Sequence, residues 1–332
     1  MKLPQSVPGH LTEADAAFWL PLSSDFAWGD LDLNTAYAIS GAAFIDLSDP
    51  YGPLGNPFAV VIGKPVKDFD NGRCQQITQL TRTPETVFIR DCHSTNQNEY
   101  ELLLTVLTPT GKELGACAHG FTGAVQTILA FGLVAPGSEI HVRTTLDTTA
   151  KVFVSAAGVI ALEFVVQEQR MLTVSSQTIN DIFHAEVLSQ TQELPVLSVG
   201  SPKLTIEVSI ERFAAIQRKL GDLDYDQLLA FEDKEKINGV HIYCRNPRSR
   251  LPEKAIQVNA YLGKDNVVDP ATGVSAAGQI SADDLVPEGT EVTITQYTAR
   301  GPSAILKVTK QTDTVRVGGT AVLFNYKELE NA

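Results

Sequence analysis

Two stretches of the chain repeat one arrangement, and together they limit the fold more than any other feature: residues 107–123 (LTPTGKELGACAHGFTG) and 258–278 (VNAYLGKDNVVDPATGVSAAG). In each, a strand-like segment runs into a polar, small-residue turn that opens a stretch able to form a helix. The first turn of a helix has unpaired N–H groups and roughly half a positive charge. Two such ends facing one cleft would bind a carboxylate without any lysine. The first end carries Cys117 and His119, and the second carries Asp269.

Periodicity extends this arrangement over most of the chain. Alternating or β-rich segments fall at 37–47, 58–62, 86–89, 99–107, 139–145, 151–154 and 159–166, with helices predicted over 71–80 and 122–131. A second series falls at 203–208, 239–244, 257–262, 291–296, 304–309, 314–317 and 320–325, with helices over 210–219, 225–235 and 275–282. Many strands with a small-residue helix among them, twice over, predict an α+β fold: two similar domains, each a barrel-like sheet wrapped around a central helix. The expected layout is an extension over 1–33, a first domain over 34–180 and a second over 181–332, whose last strand crosses back to the first. The pattern is least regular between 167 and 199, where the junction is expected. No G-x-G-x-x-G follows the first strand, and neither a P-loop nor a G-x-S-x-G elbow occurs, so nucleotide binding and serine hydrolysis lose support.

Composition narrows the partners. With 332 residues, 43% hydrophobic and 20% charged, the chain can bury a core in each of two domains. A formal charge of -13 argues against nucleic-acid backbones and anionic membranes, which reward clustered Lys and Arg. The first residues (MKLPQSVPGHLTEADAAFWL) place Pro, Glu and Asp where a secretory core is apolar, and no run reaches transmembrane length; the expected location is cytoplasmic. Cys74, Cys92, Cys117 and Cys244 are widely spaced, with no C-x-x-C pair and no histidine at metal-site spacing apart from the neighbours Cys117 and His119, so no metal site is expected, and Cys74, Cys92 and Cys244 read as small buried hydrophobes.

An ordered set of segments then carries a family resemblance: GNPFAVVI (55–62), TRTPETVFI (81–89), LTPTGKELGACAHGFTGA (107–124), SVGSPKLTIEV (198–208), VVDPATGVSAAG (267–278), ITQYTARGPSAILKV (294–308) and VRVGGTAVLF (315–324). From about residue 34 to its end the chain resembles the phenazine-biosynthesis PhzF-like isomerases, which share the diaminopimelate epimerase fold. The resemblance implies a cofactor-independent isomerase that moves a proton between carbons of a small carboxylic acid. A secondary-metabolite tailoring isomerase or cyclase is the more specific version, and a homodimer is a possible assembly. It makes Glu85 the proton shuttle, with His119 and Asp269 positioning substrate and assisting proton movement. Around them Cys117, Ala118, Gly120, Gly273, Val274 and Ser275 fall at substrate-binding positions. A carboxyl group in a partly dry cleft, held in register by neighbours, suits such chemistry.

Several residues depart from the family pattern. Ala118 brings a Cβ where close backbone approach is expected, Pro84 removes a hydroxyl and an N–H before Glu85, and Val268 and Val274 replace an acidic residue and a serine. These changes suggest a substrate different from that of the family's namesake. Cys117 resembles the first of the two opposed cysteines of epimerases on this fold, yet the second helix start has no cysteine, so a two-thiol racemase lacks its partner. A single-cysteine dehydratase or epimerase, and a small-acid binding protein that has lost chemistry, are the alternatives. For Glu85, His119 and Asp269 the competing readings are structural: a strand-end carboxylate, a helix-start histidine and a turn-capping aspartate.

Overall fold

A computed structural model of the chain describes residues 26–45, 55–81, 83–167, 169–260, 268–269 and 271–329. Its contacts divide into two compact units: the first ends at Glu163 and regains the chain from Gly318, and the second runs from Phe164 to Val317. The boundary expected at 180/181 lies inside a helix instead, because that helix packs into the core of the second unit.

The first unit is built from β1 (Tyr37–Ile45), β2 (Asn56–Ile62), β3 (Thr86–Asn96), β4 (Glu99–Leu107), β5 (Glu139–Thr144), β6 (Thr149–Val154), β7 (Ile160–Val165) and the last strand, β16 (Thr314–Glu328). They are hydrogen-bonded in that order, and β16 returns to pair antiparallel with β1 from Tyr37↔Glu328 to Ile45↔Thr320. The sheet is thereby closed into a barrel, which leaves no edge strand. Alternation explains β5 and β7, in which every second residue is buried. β2 (NPFAVVI) is buried throughout.

Strand pairs β2–β3 and β4–β5 are parallel, and parallel neighbours need a crossover. Helix α1 (Asn71–Thr81) makes the first and α2 (Ala118–Ala130) the second. Asp70 starts α1 by accepting the Arg73 N–H at 2.7 Å. α2 is buried without a break from Ala118 to Val125 and touches β1, β2 and β3, as a helix inside a barrel must. Two of its residues are glycine for steric reasons. A Cβ at Gly123 would lie 2.6 Å from the Phe58 ring, and one at Gly120 would lie 2.7 Å from Val87 Cγ2 and 2.9 Å from Cys117 Sγ. Overpacking of this kind costs about 1–3 kcal/mol, against about 1 kcal/mol gained in helix propensity. Gly123→Ala is therefore expected to lower the urea midpoint at constant m-value; a raised midpoint would show that Phe58 moves aside freely.

The second unit contains β8 (Arg170–Val174), β9 (Gln192–Leu197), β10 (Lys203–Glu207), β11 (Val240–Arg245), β12 (Pro252–Val258), the short β13 (Val268–Asp269), β14 (Glu291–Thr298) and β15 (Gly301–Lys310). The hydrogen-bonded order is β15-β14-β12-β11-β10-β9-β8, with β13 added to β12. Again two parallel pairs, β10–β11 and β12–β14, are bridged by helices. The first crossover is made by α4 (Ile210–Lys219) and α5 (Tyr225–Glu235), which pack with α3 (Ser176–Phe183) through Ile179, Phe183, Phe213, Ile216 and Leu228. The second is α6 (Gly273–Ser281), buried from Gly273 to Ile280 and in contact with β9, β12 and β15, so the sheet curves around it. The α+β plan of two similar units, each wrapping a sheet around one small-residue helix, is the one expected from periodicity.

Local expectations differ in places. β8, α3 and β9 occupy the stretch with no regular pattern: β8 is mostly exposed, and α3 is a short helix capped by Ser175. The segments expected at 314–317 and 320–325 form one strand. α2 begins at Ala118 rather than 122, and Ala118 takes the first helical position, where its methyl is accommodated and φ is not positive. Cys92 is partly exposed, unlike the buried Cys74, Cys117 and Cys244. Of the 1–33 extension, residues 26–33 are described; in it Phe26 stacks on Tyr326 and Trp28 meets the same ring edge-on. Residues 261–267 and Pro270 of the second repeated stretch lie outside the described residues. Among those described, no helix is long and apolar enough to cross a membrane.

Candidate active site

Each unit gathers polar residues at the N-terminus of its central helix. In the first, Glu85 lies in the turn that leads from α1 into β3, and the turn is fixed by hydroxyls. Thr83 Oγ1 donates to the Glu85 carbonyl at 2.8 Å, and Thr81, Thr83 and Thr86 share hydrogen bonds of 2.7–3.3 Å. Pro84 stiffens the same turn by fixing its φ. The Glu85 side chain, 2% exposed, reaches the start of α2, where Oε2 stands 2.9 Å from His119 Nε2. Cys117 is the N-cap residue of α2, and its Sγ lies 3.6 Å and 3.7 Å from the two His119 ring nitrogens.

The other side of the imidazole is held by a residue that sequence reasoning did not single out. Asn56, fully buried as the first residue of β2, places Nδ2 3.0 Å from His119 Nδ1. While the ring is neutral, the amide nitrogen donates to Nδ1 and the ring proton sits on Nε2 facing Glu85; once the ring is charged both nitrogens donate, and the amide presents Oδ1 to Nδ1 instead. The G-N-P segment that supplies Asn56 was legible as a landmark, but no spacing rule links it to a histidine 63 positions away.

Opposing influences act on this histidine. Burial disfavours its charge, yet the Cys117 sulfur and the Glu85 carboxylate hold its pKa well above the usual histidine range. For Cys117 burial dominates and pushes the thiol up. Because the folded-state pKa of His119 is raised, its contribution to stability is fully present below its unfolded pKa of about 6.5 and is lost as pH rises through the folded value. The stability gap between the native protein and His119→Gln is expected to be widest near pH 6 and to narrow at alkaline pH, read from urea midpoints. A gap that widens with pH would mean that His119 is buried neutral.

In the second unit Asp269 is 2% exposed and fully engaged at the start of α6. Its Oδ1 accepts the Ala271 N–H at 3.0 Å, and Oδ2 accepts the Thr272 hydroxyl and, at 3.5 Å, the Asn259 amide. Gln296 clamps the same turn: Nε2 donates to the Asp269 carbonyl and Oε1 accepts the Thr272 N–H, both at 2.8 Å. Ser275 Oγ donates to Gln257 Oε1 at 2.7 Å, Gln257 Nε2 donates to Asn259 Oδ1 at 2.7 Å, and buried Lys203 Nζ donates to the same oxygen at 3.0 Å. Asp269 therefore fixes the turn that leads into α6 and does not cap the helix, whose N-cap is Thr272, and it does so within a network that reaches Ser275. Gly273 and Val274 are buried in the first turn of α6. Beneath this network His241 is buried against Gln279 at 3.0 Å, and burial lowers its pKa to about 4, so it is neutral at physiological pH.

Of the expected site residues, the structure thus brings Glu85, His119 and Cys117 together in the first unit, beside Ala118 and Gly120, and places Asp269 with Gly273, Val274 and Ser275 in the second. The first group has the means to move a proton: a carboxylate, an imidazole that can gain or lose charge, and a low-polarity surrounding.

The sequence profile of a family described as phenazine biosynthesis-like protein (PhzC-PhzF) matches residues 49–326. No curated protein matches the chain in sequence. Among solved structures, a putative phenazine biosynthesis PhzC/PhzF protein from Clostridium difficile strain 630 is 21% identical at a TM-score of 0.64, covering 89% of this chain and 99% of that one. A predicted epimerase from Pseudomonas aeruginosa is 21% identical at a TM-score of 0.63, covering 90% and 100%. A hydroxyproline epimerase from Agrobacterium vitis, with bound trans-4-hydroxy-L-proline, shares the fold at 11% identity and a TM-score of 0.59, covering 89% and 92%.

Proposed function

The chain belongs to the phenazine biosynthesis-like protein family, and on that premise we propose that it is an isomerase that moves a proton between carbons of a small carboxylic acid. The observation that carries this reading is the buried Glu85–His119 pair at 2.9 Å, held from behind by Asn56. Glu85 takes the proton from one carbon and returns it to another; His119, through its Nε2 proton, orients the carboxylate and steadies charge that develops on it. Asp269, locked by Thr272, Asn259 and Gln296, orients polar groups of the substrate. In each unit by itself the first turn of the central helix offers N–H groups to an anionic group of the substrate, α2 beside Cys117, Ala118 and Gly120 and α6 at Gly273, Val274 and Ser275. Transfer of this kind runs on side-chain acid–base groups, so the proposed reaction needs no cofactor. In the more specific form the proton shift prepares the product for cyclisation or condensation in a biosynthetic route.

A thiol-based epimerisation is less favoured, since burial pushes the Cys117 thiol up and the start of α6 carries no cysteine. The deciding experiment is solvent exchange: incubation in deuterated water with a panel of unsaturated amino- and hydroxy-acids, followed by mass spectrometry of the recovered acid. Label at carbon with the native protein and not with Glu85→Gln supports the reading. Acids that bind without exchanging would replace it with that of a small-acid binding protein.

A further inference from the structure

Glu85, Cys117 and His119 also form a group that spacing along the sequence does not reveal, because Glu85 comes from the turn before β3 and the other two from the start of α2. One ligand atom from each lies within 4.8 Å of the other two, and all three residues are buried. Among the described residues this is the one such group of three. The separations suit a tetrahedral ion: around zinc, with metal–ligand distances of about 2.3 Å to sulfur and about 2.0–2.1 Å to nitrogen and oxygen, neighbouring ligand atoms stand about 3.4–3.6 Å apart. Cys117 Sγ and His119 Nε2 are already 3.7 Å apart, and Nε2 and Glu85 Oε2 are 2.9 Å apart. Metal-bound histidines are usually oriented through their second nitrogen, and Asn56 occupies that place on Nδ1 at 3.0 Å.

We propose that Cys117, His119 and Glu85 form a reversible binding site for a borderline transition-metal ion, Zn²⁺ or Co²⁺, with the fourth position left to water. Thiolate, imidazole and carboxylate together select such ions over Mg²⁺ and Ca²⁺, which want oxygen ligands alone. On binding, Cys117 releases its thiol proton and the charged His119 its Nε2 proton to solvent, while Nδ1 keeps its proton and donates it to Oδ1 of the Asn56 amide. Metal and proton transfer are then mutually exclusive, because both use the same lone pairs of Glu85 and His119. The inference goes beyond the isomerase reading, and its test uses no substrate.

The full chain, freed of metal, is titrated with Co²⁺. The expected result is one ion per chain with a thiolate-to-cobalt charge-transfer absorption, bleached by one equivalent of Zn²⁺ and unaffected by excess Mg²⁺. Cys117→Ser abolishes that absorption and weakens Zn²⁺ binding at least tenfold, whereas Cys92→Ser, at the partly exposed thiol, leaves both unchanged. His119→Gln keeps the sulfur and is expected to weaken binding by a similar factor, so the test survives if Cys117→Ser does not fold. A folded native protein with no thiolate absorption, or an absorption that persists in Cys117→Ser, overturns the proposal.

Discussion

Replacing Glu85 by Gln is expected to slow carbon-proton exchange by about 10²–10⁴, the range over which a positioned acid–base group contributes. The amide keeps the volume of the carboxylate and can still accept from His119 Nε2, so the turn fixed by Thr81, Thr83 and Thr86 has no steric reason to move. What is lost is the ability to carry a proton. The loss should fall on kcat with little change in KM, because the side chain acts in the transition state and not in holding the substrate carboxylate. Loss confined to KM would make Glu85 a binding residue, and an unchanged rate would remove it from the chemistry. Asn56→Leu should act on the same step indirectly: without its amide the imidazole loses its fixed tautomer, so the pH profile shifts as well as the rate.

Asp283→Ala is expected to cost about 3 kcal/mol of stability, the low end for breaking a buried ion pair. Asp283 is nearly inaccessible and takes Arg245 Nη1 at 2.7 Å, while its other oxygen accepts the Leu285 N–H at 3.0 Å. Burial works against charge on Arg245, but Asp283 and Glu207 keep its pKa above the ordinary value, and burial, with Glu207 beside it, pushes the Tyr243 phenol up too. Without Asp283 a largely desolvated guanidinium keeps one carboxylate, Glu207 at 3.0 Å, and the Arg250 carbonyl. That remaining support is why the estimate sits at the low end. The check is urea unfolding of Asp283→Ala beside the double variant Asp283→Ala/Arg245→Met. Removal of both charges should recover most of the loss, and a double variant as unstable as the single one would trace the cost to packing.

How far the sequence could be read depended on which force shaped each segment. Strands with one face in the core, such as β5, β7 and β14, alternate cleanly and were legible. β8 was not, since it is an end strand with most of its residues exposed, and α3 followed it into the irregular stretch. The expected start of α2 falls four residues late because a helix buried on every side shows no amphipathic stripe, and Ala118, His119 and Gly120 alone do not suggest one. Glu85, His119 and Asp269 are legible as candidates through the motifs that carry them. The residues that hold them, Asn56, Thr272, Gln296 and Asn259, were not, because each is brought in by sheet pairing or a turn and not by spacing. The Cys117–His119–Glu85 grouping was missed for the same reason.

The pairing of β1 with β16 has a consequence for the order in which the chain can acquire structure. Ser40 Oγ bonds the carbonyl of Asn325, 285 positions later. Contacts so distant in sequence are slow to form and cannot form at all until the far partner has been synthesised. The second unit, which takes in no residue after Val317, has what it needs earlier. On a ribosome the half made first should therefore finish last, and it should wait with the unpaired edge of β1 exposed to chaperones until the final strand is released.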